Sequence, residues 1–474
     1  MDEKELANLD VDNAKLAQLG YRSEFNREFS LLETCAFSFS ILGIVSGRIF
    51  HPLFRTSAGL YYFSAKMAPE GYAPLASWIT GWANITGQVA LVTGIDFTCA
   101  QMIATGIAVG SDGKTILSLG ATYGILLAIL FLHGIICSAA TKIIARLNLF
   151  YVLVNVGTTM AAIISLLVVS GDNKVSTKDA FTLFENNGGW ENNGWAFMLS
   201  FTSAMWTLTG YDSAAHISEE TAGASKAAPT AILVAVSSSA ILGWILLIST
   251  SFVIPSIPAL LGTSLPLPMG QVFLSVLGKH GMLTIWSFIT VVQFVTGAAQ
   301  GVDASRVVFA FARDNALPGS RWWKKVSEKS RVPVHAVWFV MFWAGICGLL
   351  GFSAAALTSL AGASVIGLYT SYAVPILLCI TSGRNKFEAG WFTLGRWSIP
   401  IGVVAVSWVI FITVLLLFPP GQKPEPGTMN YATLLVGAVF VFATVSWIFS
   451  ARKWFHGPVR NVDDGTDKKN FRIE

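Results

Sequence analysis

The chain has 474 residues, of which 53% are hydrophobic and only 12% charged, about half the charged share of an ordinary soluble domain. A water-soluble fold of this composition would leave apolar surface exposed, whereas a bilayer takes about 20 apolar residues per helix and leaves charge to the connections. The net charge of +4 is too small for a nucleic-acid surface, and the basic residues gather at the ends of apolar stretches, where they set topology.

Residues 1–30 are polar, mixed in charge and unlike a secretory signal peptide, and read as a cytoplasmic tail. Apolar stretches follow near 31–47, 75–109, 118–138, 147–170, 194–216, 229–254, 283–312, 334–352, 354–381, 398–418 and 430–450. Most of these eleven or so are long enough to cross a bilayer at 1.5 Å per residue. A barrel would need repeated alternating segments of about ten residues, and the chain has none. The expected fold is therefore all-α and integral to the membrane, with a membrane domain over 31–450 and a second cytoplasmic tail over 451–474.

Basic residues fix the orientation. Lys142 and Arg146, the run from Arg306 to Arg331, Arg384 with Lys386 and Arg396, and the tail from Arg452 put every second connection in the cytoplasm. Counting back places residues 48–74 inside, in agreement with Arg48, Arg55 and Lys66. A single crossing before residue 48 would put the N-terminal tail outside, although it holds Lys4, Lys15, Arg22 and Arg27. Either 31–47 does not cross, or a span is absent near 47–56. The abrupt polar run Gly47-Arg-Ile-Phe-His-Pro-Leu-Phe-Arg55 favours the absent span.

The stretch 194–221 is the most informative chemically. Gly210 interrupts an apolar helix, Asp212 and His216 follow it, and Glu219 with Glu220 closes it. Such a glycine either frees backbone groups toward a cavity or lets a neighbouring helix approach. Freed groups would suit a ligand with an ammonium and a carboxylate, since helix-end carbonyls attract cations and helix-end amides attract anions. Asp96 and Asp212 lie inside spans, where an ionised carboxylate costs about 2.5–3.5 kcal/mol; each either carries a proton or is fixed by a hydrogen bond. Glu219 and Glu220 read as a gate or as a solvated helix end, and Gln300 as a pocket residue or a packing one. His133 reads as a core histidine, and Asp303 with Arg306 as an i,i+3 ion pair. The five cysteines show no metal spacing, and neither a phosphate-binding loop nor a catalytic cluster is present. No cofactor, metal or enzymatic activity is expected.

Four stretches carry a family likeness: Thr56-Ser-Ala-Gly-Leu-Tyr-Tyr-Phe-Ser-Ala-Lys66; Ser77-Trp-Ile-Thr-Gly-Trp82; Trp206-Thr-Leu-Thr-Gly-Tyr-Asp-Ser-Ala-Ala-His216 with Ser218-Glu-Glu-Thr221; and Ala310-Phe-Ala-Arg-Asp-Asn-Ala-Leu-Pro318. Together they closely resemble the amino acid–polyamine–organocation transporters, in particular the fungal-type amino acid/choline branch that includes GABA permeases. The resemblance implies a five-plus-five inverted repeat with two extra C-terminal helices, and breaks in the first and sixth helices. It implies a secondary transporter of amino acids or related amines such as GABA or a choline-like cation. Protons would be the coupling ion, and lipid the only other partner, in the plasma membrane or alternatively the vacuolar membrane. Substrate contacts would come from Ile41, Leu42 and Gly43 in the first helix, Trp206, Thr209 and Gly210 in the sixth, and Gln300 in the eighth. Asp96, Asp212, Glu219 and Glu220 would serve coupling and gating. Against that pattern the chain lacks the second half of helix one and all of helix two, so a non-transporting member of the same fold is the alternative.

Overall fold

The computed structural model describes residues 16, 21, 24–25, 27–41, 57–139, 141–207, 209–254, 256–386, 394–426 and 429–459. The principal helices are α1 (Leu31–Ile41), α2 (Gly59–Met67), α3 (Ala73–Gly110), α4 (Leu119–Ser138) and α5 (Thr141–Val169). They continue as α6 (Asn193–Thr207), α7 (Ser213–His216), α8 (Ala224–Ser251) and α9 (Pro268–Arg313). The last four are α10 (Val334–Cys347), α11 (Ala354–Ile380), α12 (Ser398–Leu417) and α13 (Ala432–Phe449).

Local chemistry sets several of the boundaries. Pro74 and Pro268 occupy the first turns of α3 and α9, where a missing N–H has no partner to lose. Ser118 and Ser353 cap α4 and α11 by accepting the backbone N–H of Ala121 and Ala356. Such a cap contributes about 1 kcal/mol. The 46-residue α9 is interrupted at Gly278, whose φ of 68° no continuing helix allows. Only its later part therefore runs as the unbroken crossing.

Nine helices among the described residues are long and apolar enough to cross a bilayer. α6 and α7 together form a further, interrupted crossing, and α1 adds a shorter apolar helix. The eleven or so apolar stretches expected from the sequence are thus accounted for.

The chain is an all-α, multi-pass membrane protein built on the inverted-repeat plan. α3 and α9, the third members of the two repeats, pack on each other, and α3 also packs on α11. A Cβ on Gly367 would stand 2.8 Å from the Ala83 carbonyl oxygen, and one on Gly87 would stand 2.8 Å from the Leu368 nitrogen. The two backbones therefore touch at this crossing, the use to which small residues are put in membranes. α12 and α13 pack against α11 as the two extra helices. Leu153, Trp244, Val404, Leu434 and Phe449 are exposed on α5, α8, α12 and α13, as lipid-facing side chains should be.

α9 runs from the Lys279–Asp112 ion pair at one end of the bundle to the loop holding Arg321, Lys324, Lys325, Lys329 and Arg331 at the other. At this basic end Phe29 forms a parallel bridge to Thr221; its N–H donates to the Glu220 carbonyl at 2.9 Å. Ser57 N–H donates to Glu219 Oε1 at 2.9 Å. Phe29 and Ser57 therefore lie at one end of the bundle. Crossing a membrane and returning takes about 40 helical residues, more than the 27 between them. α1 itself spans about 16 Å, half of a ~30 Å hydrocarbon core. Of the two alternatives for 31–47, this arrangement supports the one in which the stretch does not complete a crossing: the chain enters from the basic end and is back there by Ser57. Leu42, Gly43 and the interval 47–56 lie outside the described residues.

Candidate functional site

α6 ends at Thr207, and helix resumes only at Ser213. Between them Gly210 adopts φ +92°, which glycine reaches freely and other residues only at a cost. Thr209 closes the end of α6 by donating its hydroxyl to the Met205 carbonyl at 2.6 Å. Thr209, Gly210, Tyr211 and Asp212 are all buried. The expectation of a helix broken near residues 209–211 is met.

Aromatic rings enclose the break. Trp206 lies against Gly94 of α3, where a Cβ would come within 2.5 Å of the indole. The Tyr211 and Tyr372 rings are 4.5 Å apart, and the Tyr369 hydroxyl is 3.6 Å from Met205 Sδ. The carbonyl end of α6, the negative end of its dipole, terminates here.

Beside the break a buried polar cluster joins α3, α7, α9 and α11. Asp212 is saturated: Tyr372 donates to Oδ1 at 2.7 Å, while Oδ2 meets His216 Nε2 at 2.8 Å and Asn84 Nδ2 at 3.3 Å. Asn84 also donates to Ser371 Oγ at 3.1 Å. Four residues along α3, Gln88 donates to Asp303 Oδ2 at 2.8 Å and accepts from Gln300 Nε2. Gln300 thus belongs to the cluster, fully buried on α9. The Asp303–Arg306 ion pair expected from i,i+3 spacing does not form. Asp303 meets an amide, and Arg306 turns to Glu220.

Farther from the basic end Asp96 Oδ2 lies 3.1 Å from His133 Nδ1. Gly297 of α9 leaves room for the pair, since a Cβ there would stand 2.0 Å from Asp96 Oδ1. The fixing partner of Asp96 is thus an imidazole. His133 is a buried histidine as expected, but a paired one.

At the basic end three buried carboxylates meet strong donors. Arg306 grips Glu220 through Nε at 2.7 Å and Nη2 at 3.1 Å. Arg313 grips Glu219 through Nη1 at 3.1 Å and Nη2 at 3.0 Å. All four residues are buried, so the solvated-helix-end reading of Glu219 and Glu220 is overturned. Asp314 gathers three chain segments: Tyr61 OH at 2.7 Å, Tyr21 OH at 3.4 Å and the Val459 N–H at 3.1 Å. Burial pushes its carboxyl up to about 6 against the lowering effect of Arg313. The Tyr21 and Tyr61 phenols are raised by burial and then by the nearby Asp314 charge.

Of the residues expected in the site, Trp206, Thr209 and Gly210 form the break, Gln300 and Asp212 share the adjoining cluster, and Glu219 and Glu220 close the basic end. Asp96 stands apart, and Ile41 is the last described residue of α1. Asn84, Gln88 and Tyr372 carried no site expectation. For Asn84 and Gln88 the signal was two polar residues four apart inside an apolar span, which places both on one helix face. Among the described residues no three metal-ligating side chains come together.

Comparison with known proteins follows this geometry. The family described as "Amino acid permease" matches residues 35–440. The rice (Oryza sativa subsp. japonica) amino-acid permease BAT1 homolog is 34% identical over 505 aligned positions, covering 96% of each chain. The GABA-specific permease of Saccharomyces cerevisiae is 31% identical over 495 positions, covering 96% of this chain and 86% of the yeast protein. The amino-acid permease BAT1 of Arabidopsis thaliana is 31% identical over 520 positions, covering 97% of this chain and 99% of the plant protein. Each alignment is longer than the 474 residues of this chain, so each opens gaps in it.

Proposed function

This chain belongs to the amino acid permease family, and on that premise we propose that it is built as a proton-coupled secondary transporter of amino acids or related amines, GABA or a choline-like cation included, in the plasma membrane. The observation that carries this reading is the buried break at Gly210. Non-helical backbone at membrane depth is tolerated only where it meets protein or a cavity, and this one ends a helix among aromatic rings. The substrate ammonium faces the carbonyl end of α6 and the Trp206 ring. Thr209 and Gly210 supply backbone contacts, and Ile41, Leu42 and Gly43 supply the facing half-site. Gln300 contributes from α9, Glu219 and Glu220 form the cytoplasmic gate, and the buried carboxyls Asp96 and Asp212 belong to the coupling machinery.

One observation favours a second reading for the 474-residue form itself. Phe29 and Ser57 lie at one end of the bundle, and the 27 residues between them leave no length for a second span. Without that span the site lacks one of the elements that alternating access would move against it. The test is uptake by this chain beside a form in which a relative's residues restore the span. The restored form should accumulate substrate, and Trp206→Ala and Gly210→Leu should abolish that accumulation at unchanged surface expression. The 474-residue form should show no saturable uptake. Accumulation against a gradient by the short form would contradict the second reading, and normal kinetics in both mutants would remove the break from the binding site.

A further inference from the structure

Three buried carboxyls lie in the membrane-spanning core, and their surroundings differ. Asp212 receives three donors on its two oxygens. His216 explains its charge. Its Nε2 faces the Asp212 carboxylate at 2.8 Å and its Nδ1 faces the Ser57 carbonyl oxygen at 3.4 Å. The Ser57 carbonyl only accepts, as does Asp212 when ionised, so beside a charged Asp212 the ring donates from both nitrogens, as only the imidazolium does. Asp212 and His216 then form a neutral pair.

Asp96 has an imidazole at 3.1 Å, so a proton taken up there stays within that pair. Asp303 has no such partner. It is fully buried, it receives one neutral amide from Gln88, and its Oδ1 meets no donor among the described residues. One turn farther along α9, Arg306 is held in bidentate fashion by Glu220. The charged groups that act on Asp303 are Asp212 and His216 from α7 and Arg306 on its own helix. Tyr372 of α11 lies on Asp212, Cys137 of α4 against Gly301, and the Asp96–His133 pair against Gly297. Asp212 balances His216, and Glu220 balances Arg306. An ionised Asp303 would leave one net negative charge in the core of the membrane, with a single neutral hydrogen bond.

We propose that Asp303 is the carboxyl that carries the exchangeable proton of the transport cycle, and that it is loaded in the conformation described here. The proposal rests on the reading of this fold as a proton-coupled transporter and moves the proton from Asp212 to a second buried carboxyl, on α9. Loading transfers a proton from hydronium to the Asp303 carboxylate, forming an O–H bond and leaving water; release on the cytoplasmic side reverses it. The position suits the role. Gln88 ties Asp303 to Gln300, and His216 ties Asp212 to the chain just beyond the Gly210 break, so a change of charge at Asp303 is felt where substrate sits.

The test is infrared spectroscopy of the purified 474-residue chain in lipid at neutral pH, reading the carbonyl stretch of a protonated, buried carboxylic acid. The band should be present in the wild type, absent in Asp303→Asn and retained in Asp212→Asn and Asp96→Asn. Asp303→Glu should restore it at a shifted position. Far-ultraviolet dichroism confirms that each variant keeps its helices. A band that survives Asp303→Asn, or is missing from the wild type, overturns the proposal. Uptake without proton entry by the span-restored form would sink the coupling reading itself, whatever the infrared result, so the two failures are told apart.

Discussion

The two ends of the polar stripe on α9 obey opposite rules. Toward the basic end Arg306 and Arg313 are each gripped by a glutamate, and Asp314 collects three donors. In mid-membrane, one to three turns back along α9, Asp303, and beside the same helix Asp96 of α3, each keep an oxygen without a donor among the described residues. By the gating role proposed above, an end held by such pairs resists opening until something breaks them, and a middle with spare acceptors responds to a proton or a ligand. By our proposals the same helix thus holds both a lock and a switch.

Breaking the lock should have the largest effect. Arg306→Met leaves Glu220 buried and unpaired, which costs about 3–5 kcal/mol. The thermal midpoint in detergent should fall sharply, and Glu220→Met added to it should recover most of the loss. If the single variant melts like the wild type, the pair does not hold the end closed.

The next effect depends on pH. The folded-state value of Asp314, about 6, lies above the ordinary 3.8 of an aspartate. A raised value means that the docked state binds its proton more tightly than the released one. Its contribution to docking is therefore full below about pH 4 and lost as pH rises through about 6, an effect of at most about 3 kcal/mol. Hydrogen exchange at the Val459 amide, corrected for intrinsic chemistry, should show tighter protection on acidification, and Asp314→Asn should flatten the profile. Protection that weakens on acidification would reverse the sign and refute the assignment.

The smallest effect sharpens the contrast. A protonated Asp303 is nearly isosteric with asparagine, so Asp303→Asn should change stability by less than about 1 kcal/mol. A loss as large as that of Arg306→Met would place Asp303 among the locking charges instead.

The break was legible in the sequence because a glycine followed by charged residues inside an apolar run has few structural explanations. The crossings were legible because hydropathy needs no partner to be read. The ion pairs were not. Arg306 stands three residues from Asp303 yet reaches Glu220, 86 positions away, and helical spacing alone says nothing of which helix packs alongside. The same holds for Asn84, Gln88 and Tyr372. Their polarity was visible in apolar spans, but their convergence on Asp212 and Asp303 is a fact of tertiary packing.

The central claim is that the Gly210 break is a ligand site, and binding tests it without requiring a complete transport cycle. The measurement is equilibrium binding of a radiolabelled panel of amino acids, GABA and choline to the purified chain, beside Gly210→Leu and Trp206→Ala. At least one ligand should bind saturably to the wild type, and both variants should lose it while keeping their helical content. Saturable binding that survives both substitutions, or no binding by any member of the panel, would contradict the account.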